Sequence, residues 1–285
     1  MNDQRIAIIT DSGTDTPADF VAAHDVRVIP LRINYSDGSS YENGVDITTE
    51  DVVRRFDEEI PTTSLPSPMK IQQTFEQARR DGYAGAVVVT ISSGLSATYE
   101  TVSMVARQME DFPVVTVDTK SIGVAAGMVV MEAVRQVEAG MPLERLGSVL
   151  TAVSERVRVY FSVQKLDFLR KGGRISEAVY RVGSMLNIKP VLTCDEREGK
   201  YVIEKKPRGW QKALKTQVDL IAEQAARWNQ VRVAVCTFDP SLRGELEARL
   251  RERVGNAVEF INCGISADLL VHTGPTLVGM AVMGM

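Results

Sequence analysis

Short apolar runs alternate with amphipathic stretches along the first half of the chain, and that alternation predicts strands followed by helices. Arg5 to Thr10 reads as a buried strand, and Asp11-Ser12-Gly13-Thr14-Asp15 as its polar exit loop. Thr16 is expected to cap a helix, with Pro17 at the first helical position and Asp19 three residues after the cap. The unit recurs. Strands are predicted at Val26 to Asn34, Ala86 to Thr90 and Val114 to Asp118, and helices at Thr49 to Asp57, Met69 to Arg80, Ser96 to Glu110 and Gly123 to Ala139. Strands that are apolar throughout and alternate with helices of this length imply a largely parallel sheet covered on both faces.

After Gly140 the pattern changes. A helix from Leu143 to about Arg156 leads into a strand at Val157 to Val163, and Ile188 to Thr193 and Tyr201 to Lys206 read as a hairpin around a polar turn at Gly199. Helices at Trp210 to Trp228 and Pro240 to Arg253 alternate with strands at Val231 to Phe238, Val258 to Asn262 and Leu277 to Val282. The expected fold is α/β in two domains. Residues 1–155 would form a Rossmann-like parallel sheet with flanking helices, and residues 156–285 a mixed α/β domain with an antiparallel part. The length of 285 residues fits that division at roughly 150 residues per domain.

Charge narrows the function classes. Lys and Arg total 33 against 37 for Asp and Glu, a net charge of −4, so a nucleic-acid binder that works by bulk attraction is not expected. The three cysteines, Cys194, Cys236 and Cys263, lie far apart without CxxC spacing, which suggests neither a disulfide framework nor a zinc site and fits a reducing cytoplasm. Met1 to Arg5 is polar, so no signal peptide is expected. The most apolar run, Val124 to Val134, is too short to span a bilayer and is interrupted by Glu132, so no membrane segment is expected.

Candidate chemistry concentrates in hydroxyl- and glycine-rich loops at strand ends, where open α/β sheets place ligands. These are Asp11 to Asp15, Pro61 to Pro68 with a helix start at Ser67, Ile91 to Ser96, and Val271 to Pro275, which carries His272. Backbone amides and short hydroxyls in such loops can surround a carboxylate or phosphate. The G-x-x-x-x-G-K-[ST], G-x-G-x-x-G and H-E-x-x-H patterns are absent. A serine hydrolase is an alternative, with Ser93 as nucleophile, His272 as base and Asp11 or Asp118 as orienting carboxylate, although no G-x-S-x-G elbow surrounds Ser93. Arg170, Lys171 and Arg174 flank Gly172-Gly173, and Lys205, Lys206 and Arg208 follow, forming local basic patches suited to phosphate or an acidic partner.

In order along the chain, several motifs together resemble the DegV family of fatty-acid-binding proteins. They are Asp11-Ser12 with Asp15, Thr62-Thr63-Ser64-Leu65-Pro66-Ser67-Pro68, Ser92-Ser93-Gly94-Leu95-Ser96 with Thr98-Tyr99, Asp118-Thr119-Lys120-Ser121, Gly172-Gly173-Arg174-Ile175, Ile188-Lys189-Pro190 and His272-Thr273-Gly274-Pro275. The departures are Leu65 and Glu100 where the family usually has Gln, and Ala97 and Thr276 where it usually has Gly.

The resemblance implies a non-catalytic protein that holds one long-chain fatty acid, such as palmitate, in a buried tunnel between two domains. It also implies a fatty acid kinase as partner, to which the carboxylate is presented for acyl phosphate formation in phospholipid metabolism. No cofactor or metal is implied. Carried over by position, Thr63, Ser93 and His272 would bind the carboxylate, with Thr62 and the Gly94 amide beside them. Arg174 and Arg208 would face outward, with Lys171 near them, as partner or phosphate contacts. Burying about fourteen methylenes at roughly 0.8 kcal/mol each supplies around 11 kcal/mol before ordering costs, so neutral donors suffice for the head group.

Overall fold

The computed structural model describes residues 2–183 and 187–285. The chain begins with β1 (Ile6–Asp11), a 3-10 turn (Ser12–Thr14), α1 (Ala18–Ala23), β2 (Arg27–Ile29), β3 (Arg32–Asn34), β4 (Ser40–Glu42), α2 (Thr49–Arg55) and β5 (Thr62–Ser64). It continues through α3 (Pro68–Arg80), β6 (Gly85–Thr90), α4 (Thr98–Ala106), β7 (Val114–Asp118), α5 (Val124–Glu138) and α6 (Leu143–Ser154). Next come β8 (Val157–Ser162), α7 (Asp167–Lys171), α8 (Glu177–Gly183), β9 (Val191–Cys194), β10 (Tyr201–Lys205) and α9 (Trp210–Ala225). The described elements close with β11 (Val231–Thr237), α10 (Pro240–Arg253), β12 (Ala257–Cys263), α11 (Ala267–Thr273) and β13 (Val278–Gly284).

The continuous apolar strands assemble as their composition predicts. The order β2-β1-β6-β7 is parallel throughout, and every residue of β1 and β6 is buried. A second sheet runs β10-β9-β8-β13-β11-β12, antiparallel except for the β11–β12 pair. The expected hairpin is its β9–β10 edge. Helices α3 and α4 cover one face of the parallel sheet, α9 and α10 cover the outer face of the mixed sheet, and α5 packs against strands of both.

Helix α5 explains this layering. Residues Val124 to Met131 are buried without a break, as are Ala133, Val134 and Val137, so the helix has no face to offer water over its first two turns. A helix apolar on all sides is stable only when enclosed. The two sheets enclose it, and its side chains join both in one core with Ile8, Val87, Val159 and Ala281.

Two local expectations change. The single strand at Val26 to Asn34 is two strands, because Pro30 lacks an N–H and fixes its own backbone. β2 stays in the parallel sheet, while β3 turns away to form a small antiparallel sheet in the order β4-β3-β5. Thr16 does not cap α1: Pro17 takes the cap position, the helix starts at Ala18, and Thr16 Oγ1 lies 3.0 Å from Thr14 Oγ1. Ser67, by contrast, caps α3 as expected by accepting the Lys70 amide at 3.1 Å.

Replacing Met128, which is fully buried in α5, by Ala is expected to lower unfolding free energy by about 2–5 kcal/mol in urea titrations. Met104→Ala, at an exposed position, should stay within about 0.5 kcal/mol of the wild type.

Candidate functional site

Two hydroxyls face one cleft, and each has a donor behind it. Thr63 is the central residue of β5, opposite Ile33 on β3. Its Oγ1 lies 2.7 Å from Nε2 of His272, which stands in the last turn of α11. Ser93 follows β6, and its Oγ accepts from Lys120 Nζ at 2.8 Å. Asp118, at the end of β7, fixes that arrangement. It accepts the Ser93 amide at 3.1 Å and pairs with Lys120 at 2.8 Å. Burial alone would raise the Asp118 pKa, but the hydrogen bonds from Lys120 and Ser93 hold it below the ordinary carboxylate range.

His272 is neutral. Burial, reinforced by the Arg174 charge, pushes its pKa down to about 3. Its Nδ1 is buried without a hydrogen-bond partner and abuts Gly172, where any side chain would strike the ring. A bare ring nitrogen costs less in that place than a buried N–H, so we assign the proton to Nε2, which donates to Thr63. The Thr63 and Ser93 oxygens thus each receive a hydrogen bond from behind. The Thr63 hydroxyl proton is free to point at a ligand oxygen, while the Ser93 hydroxyl lies within reach of Asp118 as well as of the cleft.

The cleft they share measures about 420 Å³ and is also lined by Leu31, Leu95, Ser96 and Arg174. Those four residues and Thr63 also line a narrower compartment beside His272, which adds Ile91, Ile122, Tyr201 and Leu269. Ile122, Tyr201, Leu269 and Thr273 in turn border an innermost chamber walled by Val159, Phe161 and Leu277. Polar residues therefore mark one end of a path that becomes apolar as it passes the start of α5. The two inner spaces hold about 30 Å³ each, close to one water's share of liquid volume. A separate cleft of about 720 Å³ adjoins Lys120, but Lys120, Arg158 and Arg197 there face Asp118, Glu155 and Glu196, so it favours neither charge sign.

The structure brings Thr63, Ser93 and His272 to one path and leaves other expected residues elsewhere. Neighbouring side chains on a strand point to opposite faces, so Thr62 is exposed and its hydroxyl turns to the Asn34 carbonyl at 3.4 Å. The Gly94 amide is committed to Ser92 Oγ at 3.0 Å, and Ser92 Oγ itself donates to the Gly199 carbonyl at 3.0 Å, docking the β9–β10 turn onto this loop. Arg174 does not face outward: it is half-buried in the lining, donating to the carbonyls of Leu95 and Gly172 at 3.3 and 2.5 Å. Lys171 is exposed and donates to the Ile60 carbonyl at 2.8 Å, while Arg208 is exposed beyond the cleft. Tyr201 is a lining residue that motif reading did not single out, and Lys120, within Asp118-Thr119-Lys120-Ser121, supports Ser93 from outside the path.

The hydrolase constellation is not assembled. Among the described residues no hydrogen bond joins Ser93 to His272, and Ser93 Oγ is an acceptor from Lys120. Asp11 accepts the Gly13 and Ile91 amides, each at 2.9 Å, instead of orienting His272. Asp118 serves Ser93 and Lys120. Among the described residues no group of three or more His, Cys, Asp or Glu could hold a metal ion, and no helix is long and apolar enough to cross a membrane.

Fold and site together define a mixed α/β protein whose apolar interior path opens between two backed hydroxyls. The family description "Uncharacterised protein, DegV family" matches residues 5–284. The chain belongs to the DegV family. A DegV domain-containing protein of Clostridium acetobutylicum is 31% identical over 283 residues, covering 98% of this chain and 99% of that one. A DegV family protein of Thermus thermophilus, described by its fatty acid binding, is 30% identical with a TM-score of 0.90, covering 99% of this chain and 100% of that one. A stearic acid-binding protein of Eubacterium ventriosum is 26% identical with a TM-score of 0.88, and 98% of each chain is covered.

Two buried carboxyls, Asp15 and Asp268, lock α11, and so His272, onto the loop after β1, beside the buried Asp11. Asp268 accepts from Ser12 Oγ at 2.5 Å, Ser12 Oγ accepts the Leu31 amide at 3.0 Å, and Asp15 accepts the Ser266 amide at 2.9 Å. Burial pushes the pKa of Asp11 up to about 7 and that of Asp15 up to about 8, and raises that of Asp268. Between pH 6.5 and 8 the folded chain retains protons on Asp11 and Asp15 that the unfolded chain has released, so rising pH destabilises the fold there. His272 gains about half a proton on unfolding at pH 6.5 and almost none at pH 8, an opposing effect that is the same in the wild type and an Asp15 variant. The Asp15→Asn variant should therefore gain roughly 1–2 kcal/mol on the wild type from pH 6.5 to 8, measured by urea unfolding at both values.

Proposed function

We propose that this chain binds one long-chain fatty acid, with its carboxylate between Thr63 and Ser93 and its tail along the apolar path past His272. The observation that carries this reading is the pair of hydroxyls, each backed by a donor, at the polar end of that path. Fatty acid binding by the Thermus thermophilus relative supports it. An acyl tail drives side chains along the inner path apart, and burial at roughly 0.8 kcal/mol per methylene offsets that displacement. The tail lies between a lobe of residues 1–155 and one of residues 156–285.

The protein has no catalytic activity of its own in this reading. In the cytoplasm it presents the carboxylate to a fatty acid kinase, and the resulting acyl phosphate enters phospholipid synthesis. Arg208, with Lys171 beyond the rim, contacts the kinase, while Arg174 at the mouth meets the carboxylate or the new phosphate.

Mass spectrometry of an organic-solvent extract of native protein should show a stoichiometric fatty acid, and its repeated absence from protein made in lipid-replete cells overturns the reading. Ser93→Ala and His272→Ala should each weaken lipid retention by about 1–3 kcal/mol in off-rate measurements. Unchanged off-rates in both contradict the head-group assignment, and ester turnover that is lost in Ser93→Ala favours the hydrolase instead. Arg208→Glu should spare lipid retention and reduce acyl phosphate formation with a fatty acid kinase; equal loss of both makes Arg208 a structural residue.

A further inference from the structure

The lining of the innermost chamber includes a buried carboxyl oxygen without a hydrogen-bond partner. Asp15 belongs to the loop after β1, where its backbone is left-handed at φ 46° and its side chain is nine-tenths buried. Its Oδ1 accepts the Ser266 amide, while its Oδ2 is buried without a partner. The nearby carboxyls differ. Asp11 has an amide on each oxygen, and Asp268 has Ser12 on one and Ser266 Oγ on the other; the Ser266 hydroxyl also adjoins Asp15 and acts against the rise of its pKa, but Oδ2 keeps no hydrogen bond of its own.

Asp15 Oδ2 points toward the chamber. A Cβ built on Gly123 would lie 3.3 Å from that oxygen and 3.4 Å from Leu269 Cδ1, and Asp15, Gly123 and Leu269 line the same space with Phe161 and Leu277. This is the part of the path beyond His272. A plain methylene chain would leave the oxygen unsatisfied, whereas a hydroxyl both donates and accepts. With its pKa near 8, the Asp15 carboxyl is largely protonated at neutral pH and can supply either half of such a bond.

We propose that the inner chamber selects acyl chains carrying a hydroxyl group part-way along their length, with Asp15 Oδ2 as the partner of that hydroxyl. The proposal rests on the fatty-acid reading and adds the class of chain.

Delipidated protein is titrated with stearic acid and with octadecanoic acids hydroxylated at successive positions. One narrow set of positions should bind about tenfold more tightly than stearic acid, the step expected of one buried hydrogen bond. That advantage should vanish in Asp15→Ala. The proposal is overturned if no hydroxylated acid outcompetes stearic acid, or if the advantage persists in the variant. Where Asp15→Ala does not fold, the wild-type ranking decides. Stearic acid binding without any hydroxyl preference overturns this proposal alone, and failure of stearic acid together with every hydroxylated acid overturns the fatty-acid reading as well.

Discussion

Enclosure of α5 is the constraint on which the rest of the molecule depends. Its first two turns present apolar side chains in every direction, so one sheet cannot satisfy it. Two sheets close around it, and a small chamber of about 30 Å³ is left at the helix start. Ile122, Gly123 and Val124 all border the innermost chamber, and the Gly123 amide is held by the Gly13 carbonyl at 3.0 Å. The helix that builds the core therefore also supplies a wall of the ligand path.

Polarity along that path follows from the same enclosure. A low-dielectric interior penalises charge, which is why His272 is neutral and why Asp11 and Asp15 hold protons well above the usual carboxylate range. Charge persists where water still reaches, at the partly exposed Lys120 paired to Asp118. Between these zones stand Thr63 and Ser93, whose hydroxyls line the cleft without burying a net charge. In the proposed reading, head-group recognition by neutral donors follows from where the core has to be.

How much of this was legible in the sequence depends on the length of each signal. The fully apolar β1 and β6 and the β9–β10 hairpin are readable because their patterns are local and sustained. The seven residues of α11 span about two turns, too few for periodicity, so His272 reads as a loop residue. β5 has three residues within a proline-rich segment, and without it the alternation that separates Thr62 from Thr63 is hidden. Strand order is a matter of long-range packing. Nothing local in Val278 to Gly284 says that it lies between β8 and β11. The resemblance places Arg174 outward, yet the Leu95 and Gly172 carbonyls hold it inward.

The departures from the usual DegV pattern are unevenly distributed, and their places limit what they can alter. Leu65, Ala97 and Glu100 all line the outer cleft, and none lines the innermost chamber. Thr276 lies apart from them and binds the Gln164 amide through its hydroxyl at 3.1 Å, tying the approach to β13 to the end of β8. The turn after α11 is made by Gly274, at φ 74°, so it does not require a further glycine at position 276. Three of the four departures therefore fall at the rim. Glu100 places a carboxylate in the same lining as Arg174, Thr63 and Ser93, so in the proposed reading an anionic head group entering this cleft meets charges of both signs.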